Sequence, residues 1–211
     1  MIFKDSSSLD MLRDINKRIE ERNFHEQTHL LYDIANTIDS DKIVYCEIGS
    51  YVGSSASLML ENKKVDKVVC IDPLNLDKSH FQGAKGQEQT LRANLSPYEN
   101  SRYAIFKNYS SDVSVLEHFR QNSLEVDILF IDGDHSKRAV WKDFLNYKEF
   151  VKPGGFIIFD DYLDSKYSPE VKIAVDEIVS SKQTREEFDI LGLPKCPALD
   201  RGYGIFIMRR T

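Results

Sequence analysis

Two acidic segments of the chain, each directly after a short apolar run, carry the residue types best suited to chemistry. Asp132 and Asp134 follow the first run, and Asp160 and Asp161 follow the second. If the two runs are neighbouring strands, their carboxylates converge at one rim of a sheet, where each close pair costs about 4 kcal/mol at an effective dielectric of ~20. Raised pKa values, arginines or a bound cation offset this repulsion. Because Mg²⁺ prefers oxygen ligands, the two clusters together favour a divalent metal site over a pair of polar turns.

His135 is the only one of the five histidines that stands at the end of an apolar run beside these acids. Its ordinary pKa near neutrality suits it to accept a proton close to a metal, and the same side chain is suited to orient a carboxylate. The other candidates are His25 and His29 before the first strand and His80 in the polar loop after Asp72. These three are interpreted as surface or lid residues.

A glycine-containing loop follows another apolar run, residues 43–48. Its spacing is E-x-G-x-x-x-G, which differs from the G-x-G-x-x-G spacing of a nicotinamide site. Glycines permit a tight turn from strand to helix and a close approach of a ligand to the backbone. The loop is interpreted either as a cofactor loop or as a simple turn before a helix. Its candidate cofactor contacts are Glu47, Gly49, Ser50, Gly53, Ser54 and Ser55.

Two further positions are candidates for holding a nucleoside. Asp72 lies 23 residues beyond Gly49 and ends the next apolar run. A carboxylate in this place typically accepts hydrogen bonds from the hydroxyls of a ribose, so together with the glycine loop it favours a ribose ligand over a solvated aspartate. Ser110, after the third run, is placed either to edge an adenine ring or to cap a helix.

The elements that position these residues are predicted to alternate between strand and helix. Short apolar runs predict strands at residues 43–48, 67–71, 103–106, 127–131 and 156–159, and an apolar stripe predicts a helix over residues 137–151. Such alternation indicates right-handed β-α-β units and a parallel sheet covered on both faces. Residues 187–191 and 203–208 predict a terminal antiparallel pair, because their turn-rich connection has no helical stripe.

The expected fold is of the α/β class: a Rossmann-like three-layer α/β/α sandwich of about seven strands, mostly parallel with an antiparallel strand near one edge. Two apolar stripes in the first forty residues add N-terminal helices to it. One domain is expected over residues 1–211, with a helical cap at 1–40 and the Rossmann-like core at 43–211. Ligands of such sheets bind beyond the carboxyl ends of the strands, which is where the candidate residues stand.

The composition argues against several classes of protein. The 211 residues are 41% apolar and 29% charged, which suits a hydrophobic core and argues against disorder. The net charge of −6 argues against a general binder of nucleic acid or of anionic membranes. No apolar run approaches a membrane span, and the N-terminal residues lack the apolar core of a signal peptide. Three cysteines without metal-ligand spacing indicate a reducing, cytoplasmic compartment.

Taken together, the motifs resemble a known enzyme family. The E-x-G-x-x-x-G loop, the acid after the second strand and the segments IDGDHS and KPGGFIIFDDY are similar to those of class I S-adenosylmethionine-dependent methyltransferases. Within that class, the chain most resembles the metal-dependent O-methyltransferases of the macrocin/cephalosporin-hydroxylase-like group, which act on sugars and natural products. The resemblance covers residues 43–179.

This resemblance implies a role for each motif. The glycine loop would hold the methionine part of S-adenosylmethionine, and Asp72 would hold its ribose. Asp132, which also borders the cofactor, would bind a divalent ion together with Asp160 and Asp161, with Mg²⁺ as the expected ion.

Family variants place the catalytic base differently, at the position of Asp134 or at that of His135. This sequence has a titratable residue at both positions. His135 is favoured because a nearby metal ion would lower the pKa of Asp134 and make it a poor base.

The implied reaction is methyl transfer to a hydroxyl of a sugar, a nucleotide sugar or another small hydroxylated metabolite. Residues 74–95, 162–169 and 194–203 are expected to border this acceptor, with Tyr162 and Tyr167 lining its pocket. The N-terminal helices either cover the cofactor or mediate a homo-oligomer. Two rival interpretations stay open: a metal-independent N- or O-methyltransferase whose acids hold an amine, and a non-catalytic nucleotide-binding module.

Overall fold

The computed structural model describes residues 7–19, 25–76, 86–195 and 203–211, which form one seven-stranded sheet in the order β3-β2-β1-β4-β5-β7-β6. The strands are β1 Ile43–Ile48, β2 Val65–Ile71, β3 Tyr103–Phe106, β4 Val126–Ile131, β5 Val151–Phe159, β6 Phe188–Gly192 and β7 Phe206–Arg210. Neighbours among β1 to β5 pair in parallel, whereas β7 is antiparallel to both β5 and β6. The predicted fold class and the antiparallel terminal pair are confirmed.

Helices cover both faces of this sheet in the described part of the chain. They are α1 Ser7–Arg18, α2 His29–Thr37, α3 Ser54–Glu61, α4 Gln87–Leu95, α5 Val113–Gln121, α6 Lys137–Tyr147, α7 Pro169–Ser180 and α8 Lys182–Glu187. Side chains of α5, α6 and α7 share one apolar cluster, and those of α2, α3 and α4 share another. Successive strand residues point to opposite faces, so Tyr45 and Cys46 of β1 belong to different clusters.

The predicted helix over residues 137–151 is too long. Helix α6 ends at Tyr147, a 3-10 turn spans Lys148–Phe150, and Val151 already pairs with Val126 as the first residue of β5. Tyr147 and Val151 are both buried in the same cluster. The apolar stripe therefore continues across the boundary, and its period gives no sign that the backbone has changed from helix to strand.

The two N-terminal helices pack on the sandwich. Leu12 and Ile15 of α1 contact Leu58 of α3, and Leu30 and Ile34 of α2 join the cluster on that face of the sheet. Residues 1–6 and 20–24 of the predicted cap lie outside the described residues.

Two sequence predictions concern the environment of the protein. No helix in the described ranges is long and apolar enough to cross a membrane. Cys46 and Cys70 are buried free thiols, while Cys196 lies outside the described residues.

Candidate active site

The acids predicted to meet at one rim lie at the ends of two adjacent strands. Ile131 of β4 pairs with Phe159 of β5, and the next residue, Asp160, donates its backbone N–H to the Ile131 carbonyl at 3.1 Å. Asp160 and Asp161 are buried, and the Asp132 side chain is 30% exposed. Asp161 has a φ of 56°, a left-handed conformation that costs energy in a residue with a side chain. That conformation turns the chain directly after Asp160.

His135 joins this rim from the loop before α6. Its Nε2 lies 3.4 Å from Oδ1 of Asp132, and its Nδ1 lies 3.3 Å from Oδ2 of Asp161. Ser168 donates its hydroxyl to the same Asp161 oxygen at 3.0 Å and lies 2.7 Å from His135 Nδ1. When Ser168 donates to Asp161, a neutral His135 ring satisfies Ser168 by carrying its proton on Nδ1, and the lone pair is then on Nε2, the nitrogen nearest Asp132.

Two residues before α2 also reach the rim, which the sequence did not predict. His25 places Nδ1 3.2 Å from Oδ2 of Asp160 and 3.4 Å from Oδ1 of Asp161. Gln27 donates from Nε2 to the other Asp160 oxygen at 3.2 Å. His25 is therefore not the surface or lid residue expected from its sequence context.

The crowding of these groups shifts their pKa values. Partial burial, reinforced by the negative charge of Asp160, raises the pKa of Asp132, and burial also raises that of Asp161. Burial opposes the charge on His25, but its hydrogen bond to Asp160 and the negative charges of the three acids together outweigh this and raise its pKa to about 9. The hydrogen bond to Asp132 raises the pKa of His135 despite partial burial. Each shift reduces the net negative charge at the rim, so the acids are held together at an electrostatic cost.

Asp134, the alternative base, hydrogen-bonds within its own loop and lines the same large cavity as Asp132 and His135. It is exposed, and its Oδ1 accepts the backbone N–H of Ser136 at 2.8 Å, just before α6 begins. A carboxylate in that place stabilises the first turn of a helix.

The residues at the rim fit a divalent cation. Two groups of three have ligand atoms within 4.8 Å of one another, His25–Asp160–Asp161 and Asp132–His135–Asp161. Oδ1 of Asp161 is buried without a hydrogen-bond partner, a state that costs free energy unless another ligand satisfies it. Asp161 belongs to both groups, whereas the other two predicted metal ligands, Asp132 and Asp160, fall in different groups.

A larger cavity of about 730 Å³ runs along the same edge of the sheet. Its lining includes Asp72 after β2 and Asp132 and His135 after β4. Its size is that of a pocket for a small ligand.

The glycine loop forms one wall of this cavity. Gly49 has a φ of 92°, and a Cβ on it would lie 2.0 Å from the carbonyl oxygen of Asp132. Gly53 has a φ of 87° and faces Leu91 of α4, where a Cβ would lie 2.7 Å from a methyl carbon. Both positions favour glycine because their φ values are positive. Gly49 also leaves no room for a side chain, because the loop touches the end of β4 at Asp132.

The polar side chains of the loop take different positions. Glu47 is fully buried behind the loop, where Oε2 accepts hydrogen bonds from Tyr45 at 2.8 Å and Ser55 at 2.6 Å. Burial raises the pKa of Glu47, and its Oε1 has no hydrogen-bond partner. Ser50 and Ser54 border a second, smaller cavity between the loop and Asp160, and Ser54 also donates to Asn16 of α1 at 2.7 Å.

Asp72 is held in place by its own loop. Its carboxylate accepts the backbone N–H groups of Tyr51 at 2.9 Å and Leu74 at 2.7 Å. Gln87, the first residue of α4, donates to the same carboxylate at 3.1 Å. The Asp72 side chain is thus oriented before any ligand binds.

A family of proteins described as methyltransferase domains matches residues 46–162, just over half of the chain. The chain belongs to this methyltransferase family. The match spans the glycine loop, Asp72 and the acidic rim, and it ends at Tyr162.

The methyltransferase is 37% identical over 184 residues to an uncharacterized protein of Acanthamoeba polyphaga mimivirus, an alignment that covers 84% of this chain and 80% of the relative. It also resembles solved structures. One is an O-methyltransferase from Bacillus cereus in complex with SAH, with a TM-score of 0.63 at 16% identity over 98% of this chain and 91% of the other. Another is the TDP-rhamnose 3'-O-methyltransferase of calicheamicin biosynthesis, with a TM-score of 0.58 at 14% identity over 97% and 96%.

These findings confirm the predicted class I S-adenosylmethionine-dependent methyltransferase at the level of family and fold. The narrower resemblance to the macrocin/cephalosporin-hydroxylase-like group stays a prediction.

The two tyrosines expected to line the acceptor pocket of the methyltransferase take different positions. Tyr162 borders neither the larger nor the smaller cavity, because its ring packs on Phe206 and its hydroxyl donates to Asp176 at 2.6 Å. Tyr167 is 69% exposed, as a residue at the mouth of a pocket can be. Residues 87–95 of the segment expected as a loop form α4, while residues 77–85 and 196–202 are outside the described residues.

Ser110 of the methyltransferase is paired with a buried acid that the sequence did not single out. Its hydroxyl donates to Asp143 of α6 at 2.5 Å, and both residues line the larger cavity. Burial raises the pKa of Asp143 to about 6. The spacing of α6 offered a signal, because Asp143 interrupts its apolar face next to Phe144.

Replacement of Asp143 by asparagine is expected to stabilise the ligand-free methyltransferase at pH 7.5. The folded state holds the Asp143 proton up to about pH 6, whereas the unfolded state releases it near pH 4. The wild-type free energy of unfolding therefore falls between these values as pH rises. Asp143→Asn removes this loss, worth at most about 3 kcal/mol, and Tm should rise by at most about 6–12 °C.

Thermal unfolding between pH 3.5 and 8 checks this expectation. The advantage of Asp143→Asn should vanish below pH 4, and Asp189→Asn, at an exposed position of β6, should leave the pH profile unchanged. A lower Tm for Asp143→Asn at pH 7.5 would show that the charged carboxylate is the favoured form.

Proposed function

We propose that this methyltransferase transfers the methyl group of S-adenosylmethionine to a hydroxyl of a sugar, a nucleotide sugar or another small hydroxylated metabolite, and that it requires a divalent metal ion. One observation carries the proposal: the cavity beside Asp72 and the glycine loop opens directly onto the acidic rim that contains His135. A cofactor bound along the cavity would thus end at groups suited to activate an oxygen. Both solved relatives described above act on oxygen, one of them on a nucleotide sugar.

The cofactor would extend from Asp72 to the rim. Asp72 would accept hydrogen bonds from the ribose hydroxyls, and Ser110 with Asp143 would border the adenine end of the same cavity. The loop from Gly49 to Ser55 would surround the methionine part, with Glu47 supporting the loop from behind. Family membership and the fold support this orientation, because such ligands bind at the carboxyl ends of the strands.

His135 is the base in this proposal. Its Nδ1 is committed to Ser168, so its Nε2 would accept the proton of the acceptor hydroxyl. The oxygen then bonds to the methyl carbon, the bond from that carbon to the sulfonium breaks, and S-adenosylhomocysteine leaves as a neutral thioether. A divalent ion held by Asp132, Asp160 and Asp161 would supply a Lewis acid that lowers the pKa of the hydroxyl. The chain itself contributes orientation and proximity.

The proposal extends to the organisation of the chain, taking residues 1–211 as a single methyltransferase domain with the helical cap at 1–40. The packing of α1 and α2 on the sandwich supports this. Cytoplasmic location, formation of a homo-oligomer and lack of nucleic-acid binding stay predictions from the sequence.

The proposed function is tested by S-adenosylhomocysteine release with a panel of nucleotide sugars and small diols, before and after treatment with EDTA. We expect release with at least one acceptor, its loss after chelation and its return with Mg²⁺ or Mn²⁺. Methyl transfer that survives complete chelation would favour the metal-independent methyltransferase instead. Failure to bind S-adenosylmethionine would contradict the proposal as a whole.

Asp72→Asn is expected to weaken S-adenosylmethionine binding by about 10- to 100-fold, since hydrogen bonds to a charged group contribute about 1.5–3 kcal/mol. Isothermal titration calorimetry measures this directly. Asp66→Asn is the matched control, because Asp66 is exposed at the other end of the same strand, β2. The Asp66→Asn variant should bind the cofactor as the wild type does. Equal affinities for both variants would show that the ribose lies elsewhere.

A further inference from the structure

We infer that His25 is a ligand of the metal site, contributed by the segment before α2, and that it tunes the site toward ions that accept nitrogen, such as Mn²⁺ and Co²⁺, over Mg²⁺. This inference rests on the proposed metal dependence and adds a residue and an ion preference to it.

The position of the His25 ring is the first support. Its Nδ1 lies within 3.4 Å of a carboxylate oxygen on each of Asp160 and Asp161. Tyr203 stacks on the ring, with centroids 4.1 Å apart and an interplanar angle of 17°. The stacking fixes the plane of the imidazole, so its nitrogen is held toward the acids by the fold as well as by their charge.

An unsatisfied oxygen is the second, independent support. Oδ1 of Asp161, the atom that faces His25 Nδ1 at 3.4 Å, is buried and accepts no hydrogen bond. Asp161 takes a left-handed backbone conformation to present it. A buried carboxylate oxygen that accepts no hydrogen bond, presented at the cost of backbone strain, indicates a ligand that the fold is arranged to receive.

Space beside the His25 ring is the third support. A cavity of about 100 Å³ is bordered by His25, Asp132 and Asp160 together with Ser50 and Thr28. Its polar lining and small volume suit an ion with a few waters better than an organic group.

The alternative is that His25 only anchors the N-terminal segment as a partner of Asp160. Gln27 makes such an anchoring contact from the same segment, since its amide donates to Asp160. Unlike Gln27, His25 offers an imidazole nitrogen, which Mn²⁺ and Co²⁺ accept more readily than Mg²⁺. The ratio of Mn²⁺ affinity to Mg²⁺ affinity therefore distinguishes His25 as a metal ligand from His25 as an anchor of the segment.

Three variants of the full chain make the experiment specific. His25→Phe keeps a ring for Tyr203 to stack on but removes the nitrogen. His135→Phe removes the other imidazole at the rim, and Gln27→Leu removes an anchoring contact without removing a metal ligand. Mn²⁺ and Mg²⁺ affinities are measured by calorimetry without cofactor, and ¹⁴N coupling to bound Mn²⁺ is measured by pulsed electron paramagnetic resonance.

We expect wild type to bind Mn²⁺ more tightly than Mg²⁺, and His25→Phe to lose about 10-fold or more in Mn²⁺ affinity but less than about 3-fold in Mg²⁺ affinity. Gln27→Leu should leave the ratio of the two affinities unchanged. The ¹⁴N coupling that His25 contributes should persist in His135→Phe and vanish in His25→Phe. If both rings bind the ion, the total amplitude should also fall in His135→Phe.

Coupling that is unchanged in His25→Phe, or an equal loss of affinity for both ions, would overturn the role of His25 and leave the metal site intact. A wild type that binds neither ion would overturn this inference together with the metal dependence of the proposed function. Methyl transfer measured separately then decides whether the metal-independent alternative holds.

Discussion

Asp160→Asn is expected to lower the rate of methyl transfer by more than about 100-fold while S-adenosylmethionine still binds with nearly unchanged affinity. Outer residues of metal sites typically contribute about 10- to 100-fold, so a direct ligand should contribute more. Asparagine has the shape of aspartate and keeps one oxygen for Gln27, which lies 3.2 Å from the carboxylate. The substitution therefore removes the charge at a buried position with little change in packing. Initial rates at saturating substrate, with calorimetry for the cofactor, measure the two effects separately.

Asp127→Asn is the matched control for Asp160→Asn. Asp127 is also a buried carboxylate, and it accepts hydrogen bonds from Val44 and Lys152, each at 2.8 Å. It stands near the start of β4, at the opposite edge of the sheet from the acidic rim. Asp127→Asn should lower Tm but keep the catalytic rate. If Asp160→Asn keeps a third or more of the wild-type rate, the acids are not ligands of a required ion.

The strands were predictable because each is a short, continuous apolar run. Residues 43–48 and 103–106 match β1 and β3 at both ends, because a charged residue precedes each run and glycine or lysine follows it. The start of β5 was not predictable in the same way. Pro153 and Gly154 are residue types that usually break regular structure, yet they lie in the first part of that strand, which begins at Val151.

The sequence predicted only those residues of the acidic rim that lie directly at the ends of strands. Asp132 and Asp160 each follow an apolar run directly, so a parallel sheet brings them together whatever its details. His25 is separated from Asp160 by 135 residues and reaches it only because α1 and α2 pack as they do. Ser168 likewise meets His135 through the placement of α7. Contacts of this kind are fixed by tertiary packing, and no local spacing encodes them.

The link between the cofactor loop and the acidic rim gives Gly49 a role that its sequence context alone does not show. Its backbone N–H donates to the carbonyl of Ile71 at 2.9 Å, and the preceding residue, Ile48, accepts the N–H of Asp132 at 2.9 Å. The ends of β1, β2 and β4 are therefore joined within two residues. A disturbance at Gly49 should reach the cofactor cavity and the metal site together.

Gly49→Ala is expected to destabilise the fold by about 3 kcal/mol or more and to abolish measurable cofactor binding. The φ of 92° is itself strained for alanine, and the new methyl group would lie 2.0 Å from the Asp132 carbonyl oxygen. Because the clash is with backbone, no rotamer change relieves it, and the ends of β1 and β4 would have to separate. A loss of this size lowers Tm by about 6–12 °C in a chain of this length.

Gly86→Ala separates this clash from a general effect of replacing glycine. Gly86 has a φ of −78°, and a Cβ on it would meet nothing within 4 Å. The Tm of the Gly86→Ala variant should therefore be unchanged or slightly raised. Urea unfolding and calorimetry with S-adenosylmethionine compare the two variants with the wild type. If Gly49→Ala folds with wild-type stability and binds the cofactor, the contact between the glycine loop and the end of β4 does not hold the two sites together. The proposed path of the cofactor from Asp72 to the rim would then have to run along another wall of the cavity.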